Sequence, residues 1–308
     1  MSAAWVAACV RARSMVQHGA GAGASRRLAI QPNLADALPL LADTAYADRL
    51  AGCTDLAVAE RATADTVLWQ LRVLAGWMPA RGTRLARSAA GAFERDNIVA
   101  LADRLDGGQS AHDPFDLGAL ATSWPRLRAA ASSEALAEAL RRSPWGTIGS
   151  GGKADLRDVL TLVWLRRLAA VAPEAQPWAE AACALTVARI VLVDDTAPSP
   201  RIQQVVRPVL GRTWEAARDL AALRACLPAS VRPALAGIQA PEELWRAEAR
   251  MRAAVESDGF RLLGSSRPGP AVVLGAIAAL AMDAWRVRAA LAAAAAGTGS
   301  SEVLDVVA

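Results

Sequence analysis

Leu38 to Leu50 reads LPLLADTAYADRL, and Leu136 to Ile148 reads LAEALRRSPWGTI. Leu41, Thr44 and Tyr46 of the first stretch return at the same internal spacing as Leu140, Ser143 and Trp145 of the second, and a helical run leads into each. Self-similarity of this kind marks a chain of repeated helical modules that bury their apolar faces against one another. Such a chain is more often a scaffold than a catalyst.

Composition points the same way. A chain of 308 residues buries roughly three-quarters of the surface its unfolded form exposes, so no disulfide or metal is needed for a core. The apolar fraction is 54%, but much of it is alanine, which packs helices closely and adds little hydrophobicity per residue. The longest uncharged apolar run, Pro270 to Met282, is interrupted by Asp283 and falls short of the roughly 18–20 residues needed to cross a bilayer. At the N-terminus the basic residues follow a short apolar stretch, the reverse of a secretory signal, so a cytoplasmic location is expected. Cys9, Cys53, Cys183 and Cys226 form no Cys-x-x-Cys pair and read as small core residues in a reducing compartment. Net charge is +4 with Lys153 the only lysine, and the basic pairs Arg26/Arg27, Arg141/Arg142 and Arg166/Arg167 lie far apart. Without a basic stripe, nucleic-acid binding is not expected.

Helical periodicity dominates the chain. Leu68, Leu71, Leu74 and Met78 share one face, as do Leu156, Val159, Leu160, Val163 and Trp164 behind a candidate N-cap at Asp155. Leu244, Ala247, Met251 and Ala254/Val255 make a third face after Pro241, which suits a first helical turn. A final long helix is expected from Pro270 to Gly297. The β-branched run ARIVLVDD, Ala188 to Asp195, continues a helical pattern from Pro177 and reads as helix. Breaks are expected at Ala20–Ser25, Asp106–Pro114, Gly146–Gly152, Ala197–Pro200 and Gly264–Pro270. Trp69, Trp164, Trp214 and Trp245 fall within apolar faces and read as core.

Candidate chemistry is sparse. GTIGSGGKAD, Gly146 to Asp155, resembles a phosphate-cradling loop, and RIVLVDD, ending at Asp194/Asp195, resembles an acidic magnesium-holding strand. The loop lacks its first glycine, where Thr147 stands, and its metal-binding hydroxyl, where Ala154 stands, and no strand precedes it. His18 and His112 have no partner at metal or triad spacing. Asp113 and Asp116 read as caps of the helix that follows. The pairs Glu242/Glu243, Asp194/Asp195 and Asp103/Asp106 read as solvated faces or caps. No catalytic residue, cofactor site or metal site is assigned.

Several segments, taken in order, resemble the C/d-type family of central-stalk socket proteins from V-type and archaeal A-type rotary ATPases. AAWVAACVRARSM carries Arg11 and Arg13 in the place of the family's opening helix and basic pair. LADTAYADRL carries Thr44 and Tyr46 as its Thr-x-Tyr element. FERDNIVAL carries Glu94, Asn97, Ile98 and Leu101 as its acid-x-x-Asn-hydrophobic helix. FDLGAL and the helix to SPWG place Leu117, Gly118, Leu120 and Trp145, with Trp where Tyr is usual. ELWRAEARM and AMDAWRVRA place Trp245, Arg246, Glu248, Asp283, Trp285 and Arg286 in the last module. The segment Leu156 to Pro200 carries no second acid-x-x-Asn element.

The resemblance implies an all-α, elongated funnel of three similar helical modules, at 1–106, 107–200 and 201–308, without significant sheet. It implies a non-catalytic, torque-transmitting component whose partners are the central-shaft subunits and the proteolipids of the membrane rotor ring. It would be cytoplasmic and peripheral, touching the membrane only through the complex. Two other readings stand beside it. One is a stand-alone helical-repeat adaptor for a partner helix. The other is a degenerate nucleotide-binding protein using Lys153 and Asp194.

Overall fold

The computed structural model describes residues 3–109, 112–149, 152–299 and 304, and every regular element among them is helical. The α-helices are α1 (Ala3–Gln17), α2 (Gly21–Ala29), α3 (Leu34–Ala37), α4 (Ala47–Leu50), α5 (Leu56–Trp77), α6 (Thr83–Leu105) and α7 (Trp124–Leu127). They continue as α8 (Ser133–Arg141), α9 (Lys153–Val171), α10 (Gln176–Leu192), α11 (Pro200–Leu210), α12 (Leu220–Cys226), α13 (Leu244–Leu263) and α14 (Pro270–Ala296). Short 3-10 turns join several of them. The chain forms two compact units, Met1–Ala86 with Arg252–Ala308, and Arg87–Met251.

In the first unit α14 is the central element and packs on α1, α2, α3 and α5. Its sequence explains the position: alanine and β-branched residues cover every side of it, and most of its residues are buried. Counted as a helix, its 27 residues are long and apolar enough to cross a membrane, more than the uncharged run alone suggested, but 72% of its most apolar stretch is buried inside the protein. Pro270 starts it, and Gly297, in the left-handed conformation, stops it, as expected from the exclusion of side chains there. Two glycines bring α13 against it. A Cβ at Gly275 would stand 2.5 Å from the Gly259 carbonyl oxygen and 2.6 Å from the Leu263 nitrogen, so only hydrogen fits between these backbones.

In the second unit α9 packs on α10 and α11, and α10 on α11 and α12. Trp164 ties α9 to α6, its indole nitrogen donating to the Ser88 carbonyl at 2.9 Å, and Gly91 leaves room for that ring. The ARIVLVDD run is helical through Leu192 within α10. The breaks after Asp106, before Pro200 and before Pro270 fall where expected, while Ser110, Ala111, Ser150 and Gly151 lie outside the described residues, as does most of the C-terminal stretch Ser300–Ala308.

Four expectations are corrected. Ala20–Ser25 is not a break beyond Ala20, because α2 begins at Gly21; its missing local cap is supplied from α14. Asp155 is not an N-cap: α9 begins at Lys153, with Gly152 in the cap position, and Asp155 sits in the first turn, where a carboxylate favours the helix dipole. Trp69 is 46% exposed, because the buried face of α5 is formed by Val67, Leu68, Gln70, Leu71 and Leu74 and leaves position 69 on the outer side. The expected α13 face is buried at Leu244 and Ala247, half-buried at Met251 and Val255, and exposed at Ala254.

Candidate functional site

The echo in the sequence is an echo in geometry. In the first unit the Thr44 hydroxyl donates to the Leu41 carbonyl at 2.7 Å and accepts from the Tyr46 N–H at 3.3 Å. In the second, the Ser143 hydroxyl donates to the Leu140 carbonyl at 2.8 Å and accepts from the Trp145 N–H at 3.1 Å. Each hydroxyl closes a turn that swings the aromatic ring inward. Tyr46 is 1% exposed and Trp145 is fully buried.

Each buried ring then donates to a buried carboxylate on a long helix. The Tyr46 hydroxyl donates to Asp283 Oδ2 of α14 at 2.8 Å, and the Trp145 Nε1–H to Glu94 Oε2 of α6 at 3.0 Å. The remaining acceptor capacity of each acid goes to backbone donors where a short helix starts. Asp283 takes the N–H groups of Ala20 and Gly21 at 3.0 and 2.6 Å, ahead of α2. Glu94 Oε1 takes those of Thr122, Ser123 and Trp124 at 2.9, 2.6 and 2.7 Å, at the head of α7. Each clasp therefore satisfies helix N-terminal N–H groups that have no partner of their own, with a negative charge at the positive end of a helix. Burial, then the charge and hydrogen bond of Asp283, hold the Tyr46 phenol well above the usual tyrosine range.

Asn97, one turn along α6 from Glu94, completes the second clasp. Its side-chain amide pairs with the Phe115 backbone in both directions, Nδ2 to the carbonyl at 2.9 Å and Oδ1 from the N–H at 2.7 Å. Leu101 is buried and lines a cavity of about 450 Å³ with Phe115, Leu117, Trp124, Arg104 and Arg128.

The other singled-out residues stand apart from the clasps. Arg13 donates to the Leu263 and Ser265 carbonyls at 3.1 and 2.7 Å, holding the end of α13, while Arg11 Nε is buried without a hydrogen-bond partner among the described residues. Arg286 is paired with Glu256 in a buried contact, and Trp285 carries the Arg252 guanidinium 5.0 Å from its ring. Trp245 is half-buried, with Arg246 5.3 Å over it and also bonded to Glu243 at 2.8 Å.

The residues of the nucleotide reading are engaged in ion pairs. Lys153 meets Asp103 at 2.5 Å, and Asp194 meets Arg189 at 2.5 Å. His18 is exposed and bonded to the Ser14 carbonyl. Among the described residues, no group of three His, Cys, Asp or Glu is placed to hold a metal. Asp116 accepts the Gly118 N–H at 3.1 Å, a local turn rather than the expected cap, because Leu117 holds the cap position of the 3-10 turn Gly118–Leu120 and no side chain caps it. Burial pushes the Cys183 thiol up to about 12, which leaves it inert as a nucleophile at neutral pH.

Sequence reasoning missed the pairing of the acids with the echoed rings, and it missed a further occurrence of the spacing. Asn33, Ser132 and Asp219 each cap a helix, through Asp36, Ala135 and Ala222 N–H. At equal intervals after them come Leu41, Thr44, Tyr46; Leu140, Ser143, Trp145; and Leu227, Ser230, Arg232. The substitution of Arg232 for an aromatic ring hides the last one from a search by residue type. Compared with protein-family models and with curated proteins, the chain finds no match in either.

Proposed function

We propose that this chain is a non-catalytic socket of a V/A-type rotary ATPase, of the C/d type, joining the central shaft to the membrane rotor ring. One observation carries the reading: the places where the resemblance puts its Thr-x-Tyr and acid-x-x-Asn elements are where matching buried clasps occur, Tyr46 on Asp283 and Trp145 on Glu94. The third set, Asp219, Leu227, Ser230 and Arg232, supports a chain of three similar modules. The socket has no chemistry of its own in this reading. It passes torque between ATP turnover in the soluble head and ion movement through the ring, and it sits on the cytoplasmic face through its partners. Fixed helix-to-helix ties of the clasp kind suit that load, because buried, fully bonded polar groups resist rearrangement. Exposed Trp69 and Trp77 on α5 favour a partner surface and keep the stand-alone adaptor as the second reading.

The test is functional. In inverted membrane vesicles from cells lacking this chain, ATP-driven ion uptake should fall to background while ATP hydrolysis by the head persists, and re-adding the chain should restore uptake. Unchanged uptake in its absence would remove the socket reading.

A further inference from the structure

Two tryptophans stand in the open on the outer face of α5. Trp69 is 46% and Trp77 50% exposed, whereas the ring of a folded protein's tryptophan is ordinarily covered over most of its area. Helix geometry puts both on one side. Trp69, half-buried Val73 and Trp77 follow at four-residue steps, so the rings lie about 12 Å apart along the axis with the valine between them. Arg72, a neighbour of Trp69 at a three-residue step, is exposed as well. A Cβ at Gly76, on the same side, would meet nothing within 4 Å, so no other described element covers this face.

The charge around the rings has one sign. Residues 66–86 include Arg72, Arg81 and Arg84 and no acid. Arg81 and Arg84 are exposed, and neither is hydrogen-bonded or ion-paired among the described residues. The turn that bears Arg81 is packed back against the end of α5 by Trp5 of α1. A Cβ at Gly82 would stand 2.9 Å from the Trp5 ring and 3.1 Å from Met78 Cβ, which holds Arg81 close to Trp77. The elements α1, α4 and α14 pack on α5, and they add no free acid at this end. Residues 1–35, α1 included, contain none, and α14 has only Asp283, which the first clasp occupies. Asp48 of α4 stands next to Arg49 and leads into the opposite end of α5. Asp65, the last acid before the patch, is paired with Arg61 at 3.0 Å.

We propose that this face of α5, with the turn after it, docks on the headgroup region of an anionic lipid bilayer. Tryptophan favours the boundary between headgroups and hydrocarbon, where its ring is sheltered and its N–H stays wet. Arginines beside it are drawn to a negative leaflet, each strengthening binding about fivefold. An acid among them would oppose that attraction, and there is none. A protein groove buries such rings equally well, yet it sets no demand that the surrounding chain be free of acid. The contact is superficial, since two rings and three guanidinium groups hold a surface and do not span it. It is a direct attachment beside the partner-mediated one of the socket reading, and it does not depend on that reading.

The experiment uses the full chain with vesicles that contain no other protein, so it reads lipid binding alone and leaves the socket reading to its own test. Co-sedimentation is measured on phosphatidylcholine, and on phosphatidylcholine with phosphatidylglycerol, at low and high sodium chloride. The chain should sediment with the anionic vesicles at low salt and be released at high salt. Arg81→Gln with Arg84→Gln should weaken binding about twentyfold, and Trp69→Ser with Trp77→Ser about tenfold or more. Both variants should melt with the parent, because all four side chains are exposed; if the tryptophan variant melts early, the arginine pair decides. Arg126→Gln with Arg128→Gln, an equal charge change on exposed residues of the second unit, should leave binding unchanged. No sedimentation with the anionic vesicles gives the rings to a protein partner and overturns the proposal. Equal sedimentation with phosphatidylcholine alone, an equal loss in the two arginine pairs, or binding that survives removal of both tryptophans overturns it as well.

Discussion

Glu94 and Asp283 each spend most of their acceptor capacity on backbone. A buried carboxylate is costly without partners, but Glu94 accepts three backbone N–H bonds and an indole, and Asp283 accepts two and a phenol. Asn97→Leu should lower the stability of the isolated chain by roughly 1–3 kcal/mol for each Phe115 backbone group it orphans, read as a fall in the urea midpoint. Unchanged stability with lost assembly would mean that the α6 face meets a partner instead. Tyr46 is the only tyrosine, so tyrosinate absorbance near 295 nm, read as a difference over the background of the ten tryptophans, can come only from it. Its folded pKa is raised, so the stability it contributes is fully present below the unfolded value of about 10 and is lost as pH climbs toward the folded one. Tyrosinate should therefore appear only together with loss of helical circular dichroism; ionisation near pH 10 in an intact helical protein would contradict the clasp. Glu94, Asn97, Tyr46 and Trp145 were legible in the sequence as residue types at fixed spacing. What they bind was not, because Tyr46 and its acid are 237 positions apart and only the fold brings them together.

At the scale of elements, the helices whose signals are local were readable and those stabilised from a distance were not. Pro270 and Gly297 announce α14 because proline and glycine act through their own backbone. The start of α2 could not be read from GAGAS, because its cap is a side chain of α14. The exposure of Trp69 was hidden for a related reason: periodicity gives a face, but its width depends on how many neighbours pack on α5. The meeting of α13 and α14 shows the same dependence. Gly259 and Gly275 look like weak points of two helices in the sequence, yet they are where the backbones touch. Gly275→Ala should improve local helix propensity by up to about 1 kcal/mol but force the helices apart at a cost of about 1–3 kcal/mol or more. The expected net result is a lower melting temperature, whereas a higher one would show that α13 yields easily.

At the scale of the molecule, the all-α class was legible from alanine-rich periodicity and scarce strand signals. The return of Arg252–Ala308 to the unit that contains the N-terminus was not, because repeats show which segments are alike and not which ones close on each other. The echo of Leu41, Thr44 and Tyr46 in Leu140, Ser143 and Trp145 reached furthest toward function, since it led to the two clasps on which the socket proposal stands. A scaffold is defined by what it holds, so its partners decide the account. The most direct measurement is affinity purification of the tagged chain from gently solubilised native membranes, with the co-purifying chains identified by mass spectrometry. The account predicts recovery of rotary-ATPase shaft and head subunits together with the small membrane proteolipid; recovery of the chain alone, or with an unrelated soluble partner and none of those subunits, would contradict it.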